Sequence, residues 1–231
     1  IYLATPRLRG RLALNLAVAA GSAMVIVNTV VMVQSQMGLT QTSTAIALAC
    51  FGAGSMVMAL ALPRLLDNVR ERPAMLAGAS VVAAGLVLGW ITATRFEVLL
   101  PLWFVIGLGY SLAQTPSGRL LRRSSTDADR PALFAAHFAL SHACWLITYP
   151  LAGWVGARYG IDVSFVSLGV VAVAAIALSA LMWPEHEPAE VAHTHENLPP
   201  DHPHLVEVPQ GAMQKHSHAF VIDDEHQRWP H

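Results

Sequence analysis

Six stretches of the 231-residue chain run for about twenty residues each with almost no charge, and they set its architecture. They fall at about 12–33, 43–62, 74–94, 98–117, 131–154 and 162–183. A bilayer core of about 30 Å takes roughly 20 apolar residues of α-helix to cross, so each stretch is long enough to be a span. Polar turns separate them: "QSQMGLTQT", "PRLLDNVRERP", "TATRFE", "GRLLRRSSTDADRP" and "GARYGID". Connections this short make successive helices antiparallel neighbours. The fold class predicted is an all-α membrane protein, a six-helix bundle over residues 1–183. Residues 184–231 form a polar segment whose prolines predict a largely disordered tail, with one short strand, "HAFVID", near its end.

Polar positions divide the spans into two kinds. The third and sixth are apolar almost all round and suit a lipid environment. The other four carry Asn15, Asn28, Gln34, Ser55, Gln114, His137, Ser141, His142 and Thr148. Polar side chains at membrane depth face the bundle interior or a watery cavity. Two cavity-competent helices followed by one lipid-facing helix occur twice. That is a 3+3 repeat, and an odd number of spans per repeat makes it inverted. In the fifth span His137, Ser141, Cys144 and Thr148 recur at helical spacing on one stripe, with His142, Trp145 and Tyr149 on the next. Asn28, Gln114, His137, Ser141 and His142 are therefore candidates for lining a transport cavity, the histidines being suited to a proton step. Hydrogen bonding between helices is the alternative use of each. Ala13, Ala17 and Gly21 form a small-residue row that admits a close neighbour.

Composition agrees with this pattern. Hydrophobic residues make up 54%, charged residues 13%, and the mean hydropathy is +0.47. A typical soluble domain is about one quarter charged. Charge also fixes an orientation. Arg7, Arg9, Arg11, Arg64, Arg70, Arg72, Arg119, Arg122, Arg123 and Arg130 flank one face, against Arg95 and Arg158 on the other. By the positive-inside rule both termini are cytoplasmic, and a bacterial inner membrane is the expected location. The segment before the first span lacks the apolar core of a signal peptide. Cys50 and Cys144 sit in apolar runs and offer no disulfide framework. No nucleic-acid partner is expected. "GAGSM" and "TPSGR" do not form the nucleophile turn of an intramembrane serine protease, so no enzyme activity is expected.

This layout resembles the C-terminal half of a major facilitator superfamily permease. The loop "PRLLDNVRER" is similar to that family's G-x-L-x-D-R-x-G-R-R/K loop, with Leu65, Asp67 and Arg72 matching and Pro63, Arg70 and Glu71 departing from it. "GLGYSLAQTP" and "YPLAGWVGARYG" resemble its tenth and eleventh helices. The resemblance implies half of a twelve-helix secondary transporter working by alternating access. It also implies an N-terminal six-helix half or a partner copy, and a cytoplasmic gate at Asp67 and Arg72 set against the start of the fifth span.

The segment after Trp183 changes the picture once more. Residues 1–183 hold twelve basic and six acidic side chains, net +6; residues 184–231 hold two and nine, net −7. Nine of the eleven histidines lie in that second segment, including the pairs His193/His195, His202/His204 and His216/His218. Imidazole with carboxylate suits Ni, Co or Zn, although no bound cofactor is required for the bundle. The tail resembles that of nickel and cobalt efflux permeases, which implies export of a divalent metal ion as the function. No Asp or Glu lies in the interior of a span to ligate such an ion on its way. Efflux of a drug-like or metabolite solute with an incidental tail, and a non-transporting membrane metal sensor, are the alternatives. The tail's acidic charge also suits docking on the basic loops.

Overall fold

The structure, a computed structural model, describes residues 1–185, 191–194, 215–218, 220–222 and 229. With no water in a bilayer core, a spanning segment must satisfy its backbone internally, and α-helix is the local solution. Six helices are long and apolar enough to cross a membrane. α1 (Pro6–Val30) continues through a π-helical turn, Val31–Gln36. It is followed by α2 (Gln41–Leu66) and α3 (Glu71–Thr92). α4 (Phe96–Gln114) runs into the short α5 (Ser117–Arg123), and together they make the fourth span. α6 (Arg130–Tyr159) and α7 (Ile161–Met182) complete the bundle. Gly160, at φ 97°, joins the last two with no further loop, in a conformation that suits only glycine.

The ends differ from the sequence pattern in one consequential place. α1 begins at Pro6, not near residue 12, so Arg7, Arg9 and Arg11 are helical residues and not a flank. Proline favours the first helical turn, where its missing N–H has no partner to lose.

α1 is the centre of the bundle. Around it α2 packs on α4, α4 on α3, α3 on α7 and α7 on α6, while the side between α6 and α2 stays open. Burial follows this order: 72% of the α1 apolar window lies inside, against 17% for α2 and 22% for α6. α3 and α7 lie away from the open side. Their all-round apolarity has two uses: Val82, Leu86, Phe165 and Leu168 face neighbouring helices, while Val87, Ile91, Val170 and Leu181 remain exposed.

In the tail, Val191–Thr194 pairs antiparallel with Lys215–His218, with His193 opposite His216. The strand sits just before "AFVID". A hairpin alone is marginal in water, but Phe220 and Ile222 are buried beyond it and give this one an anchor. His195, His202 and His204 lie outside the described residues.

α2 and α4 approach to backbone contact. A Cβ on Gly54 would stand 2.0 Å from the Phe104 carbonyl oxygen, and one on Gly107 would stand 2.1 Å from that of Phe51. Gly52, two residues before Gly54, has open space around it. Gly107→Ala is therefore expected to destabilise the bundle by about 1–3 kcal/mol, the usual cost of overpacking, and Gly52→Ala to leave it unchanged. Thermal unfolding in detergent measures the difference.

Candidate functional site

The N-terminal half of α1 carries most of the buried polar chemistry. Arg11 is fully buried. Its Nε donates to Ser117 Oγ at 2.6 Å, and Nη2 donates to Gln114 Oε1 and to Asn15 Oδ1. Nη1 has no hydrogen-bond partner among the described residues. No carboxylate pairs with this guanidinium among them either. Asn15 passes the network on, donating from Nδ2 to the Ser141 carbonyl of α6 at 3.1 Å. Beside it the Tyr2 hydroxyl lies 2.8 Å from His137 Nδ1, and the two rings stack with centroids 5.9 Å apart. Burial pushes the Tyr2 phenol up to about 12, so it keeps the proton that this bond uses.

Gln114, His137 and Ser141 thus gather with Asn15 and Tyr2 round Arg11. Asn28 is placed apart. It is buried towards the far end of α1, where Nδ2 donates to Ser164 Oγ at 3.0 Å and to the Ala152 carbonyl at 3.4 Å. It joins α1 to α6 and α7. His142 is exposed. Its Nδ1 lies 2.8 Å from the Phe138 carbonyl. Its ring lies 3.9 Å from that of Phe138 and edge-on to Trp145 at 5.0 Å.

The two stripes of α6 divide accordingly. Ser141, Cys144 and Thr148 are buried against α1, with Thr148 Oγ1 donating to the Ala19 carbonyl at 3.2 Å. Trp145 Nε1 adds a bond to Ser22 Oγ at 2.8 Å. Only the His142 side of α6 looks outward to the open face. It is flanked by Phe138, Leu146 and Ile147, each more than half exposed.

At the arginine-rich end the ion pairs form one turn beyond Asp67. Asp67 caps the end of α2 and is exposed. Glu71, nearly buried at the start of α3, pairs with Arg119 Nε at 2.9 Å and lies 3.8 Å from Arg123 Nη1. Arg72 instead donates to the Trp183 carbonyl at 3.0 Å and the Ala180 carbonyl at 3.4 Å, holding the last turn of α7. Arg7 donates from Nε to Ser124 Oγ at 2.7 Å and from Nη2 to the Phe220 carbonyl at 3.3 Å. It lies 4.9 Å over the Trp229 ring, so the tail returns to this end of the bundle.

Arg11, Asn15, Glu71 and Tyr2 were not singled out by sequence reasoning. Arg11 reads as one more flanking arginine until the helix is known to start at Pro6. The usable signal was the coincidence of Asn15, Gln114 and Ser117 at matching depth with no acid among them.

These features define a polytopic helical membrane protein whose one open side carries polar chemistry. Residues 12–220 match the family model of the Major Facilitator Superfamily, and the chain belongs to that superfamily of membrane transporters, which are not enzymes. A comparison with curated proteins finds no match.

The ion pairs give a direct test. Glu71→Gln should lower the thermal midpoint by a few degrees, since pairs with half-exposed arginines are worth about 1 kcal/mol or less. Asp67→Asn should leave it unmoved, and a scan of both variants in detergent compares them.

Proposed function

We propose that the chain forms one six-helix half of a secondary active permease that moves a small organic anion by alternating access. The two groups of three spans form an inverted repeat, and the partner half closes the open side between α2 and α6. Support for this arrangement comes from the low burial of those two helices and the exposed apolar face of α6.

The observation that carries the substrate class is Arg11. Burying a guanidinium costs several kcal/mol unless it is paired, and here one nitrogen lacks even a hydrogen bond. Gln114, half-buried on α4, accepts a hydrogen bond from Arg11. A carboxylate or phosphate ester admitted there would accept the fork of Arg11 bidentately. The same charge argues against a divalent cation as cargo, because no span offers an interior carboxylate to offset it.

A metal-sensing role for the tail is the second reading. Its support is the backbone register that sets His193 opposite His216. Ni, Co or Zn bound there would report cytoplasmic metal to the α1 end that Arg7 ties to Phe220.

Proteoliposomes containing the complete transporter test the first reading. Arg11→Gln should reduce uptake of a labelled organic anion roughly 10- to 100-fold, the loss of one charge-assisted hydrogen bond. Arg11→Lys, which keeps the charge without the fork, should recover part of it. Equal uptake by all three proteins would sink the anion reading. Calorimetry of the whole chain with Ni or Zn, compared with a His193→Ala/His216→Ala variant, tests the second.

A further inference from the structure

A trough runs down the outer side of the bundle between α3 and α7. Val87, Val166, Gly169, Val170 and Val173 line it, enclosing about 470 Å³ of almost wholly apolar space. Trp90 and Phe165 form its upper wall and are also part of a second cavity of about 800 Å³ directly above. That upper cavity is polar. Arg95 and Glu97 reach it from the start of α4, and Asp162 from the start of α7. The two spaces share the Trp90 and Phe165 wall, with charged groups on one side of it and apolar surface on the other.

Its dimensions match one leaflet. At 1.5 Å per helical residue the stretch from Phe165 to Ala174 covers roughly 13 Å, close to half of a bilayer core of about 30 Å. Trp90 sits at the junction, half exposed, where an amphipathic ring marks the membrane interface. Gly169 deepens the floor: an added Cβ would meet only Leu86 Cβ, at 3.8 Å. α3 and α7 stand away from the open side, so this groove faces lipid and not a partner half.

We infer that the groove is a binding site for a phospholipid bearing a primary ammonium headgroup, such as phosphatidylethanolamine, in the leaflet opposite the arginine-rich ends. One acyl chain lies in the trough. The Arg95 guanidinium receives the phosphate, a pairing its planar fork suits. Glu97 and Asp162 accept the ammonium N–H groups. Both carboxylates lie in the first turn of a helix. One cation with two anions complements a zwitterion. It disfavours an anionic phosphatidylglycerol, and phosphatidylcholine has no N–H to donate. The site depends on neither the solute nor the tail reading.

Native mass spectrometry of the delipidated full-length chain, titrated with phosphatidylethanolamine, phosphatidylglycerol and phosphatidylcholine, tests it. The ethanolamine lipid should be retained about ten-fold better than either other lipid, the worth of a charge-assisted contact. Gly169→Leu fills the trough without pushing on α3, so it should abolish the preference while leaving the thermal midpoint of the lipid-free protein in place. Glu97→Gln with Asp162→Asn should turn the preference towards phosphatidylglycerol. Equal retention of all three lipids by the unmodified protein, or an unchanged preference in Gly169→Leu, would overturn the inference and leave only annular lipid.

Discussion

A helix enclosed on nearly every side by other helices has neither lipid nor water to receive its polar groups. That constraint falls on α1, and much of the structure follows from it. Its polar side chains and carbonyls find partners on the helices around it. Arg11 bonds to Ser117 and Gln114, at the junction of α4 and α5. Asn15 reaches the Ser141 carbonyl, Ser22 accepts from Trp145, and the Ala19 carbonyl accepts from Thr148, all on α6. Thr29 accepts from Trp103 on α4 at 2.9 Å, and Asn28 bonds to Ser164 on α7. In a low-dielectric interior each unmade bond is expensive. The small residues of α1 serve the same end, since Gly21 leaves room for Val82 of α3 to come in against the helix backbone.

Charge is sorted along the same axis. The arginine cluster crowds one end of the bundle, where Glu71 at the start of α3 pairs with Arg119 and Arg123, and Asp127 pairs with Arg130. Glu97 and Asp162 sit at helix starts on the other end. Arg11 is the exception: a full charge drawn inside, among hydroxyls, amides and a phenol that only partly replace a counter-ion. Hydrogen bonds from neutral partners leave it electrostatically unfinished, unlike Glu71, whose arginines complete it. The contrast between those two sites sets the functional interest at Arg11 and the structural interest at Glu71.

Much of this was legible in the pattern of the chain. The six helices fall where apolar runs of sufficient length fall, because in a membrane length and hydropathy are nearly the whole criterion. Which helix lies in the middle was not legible. α1 and α6 both carry spaced polar residues, and spacing alone does not say whether Thr148 faces a cavity or the Ala19 carbonyl. The stripe through Ser141 and Thr148 was read correctly as a face, but the structure turns that face onto α1. Arg11 was hidden for a related reason. A basic residue at the start of a span reads as a topology signal, and only the position of Pro6 moves it inside. Asp67 stood out through its resemblance to a known loop, yet among the described residues the acid that pairs with arginines of another helix is Glu71, at a position where that loop carries a basic residue.

The bonding of α1 also bears on how the bundle could move. Its contacts run from Arg7 and Arg11 at one end to Asn28 and Thr29 at the other, and they engage α4, α5, α6 and α7 in turn. Bending any one of these helices away from α1 would break buried hydrogen bonds with no solvent to replace them. α2 is held differently, by glycine-mediated contact with α4 at Gly54 and Gly107, which adds a second unyielding seam. A bundle built this way is far easier to tilt as a unit than to deform. Alternating access, in the transport proposal, would then be confined to the one side that is not sealed, between α2 and α6. There the exposed His142, Leu146 and Ile147 of α6 and the half-buried Gln114 of α4 are the groups a moving partner would cover and uncover.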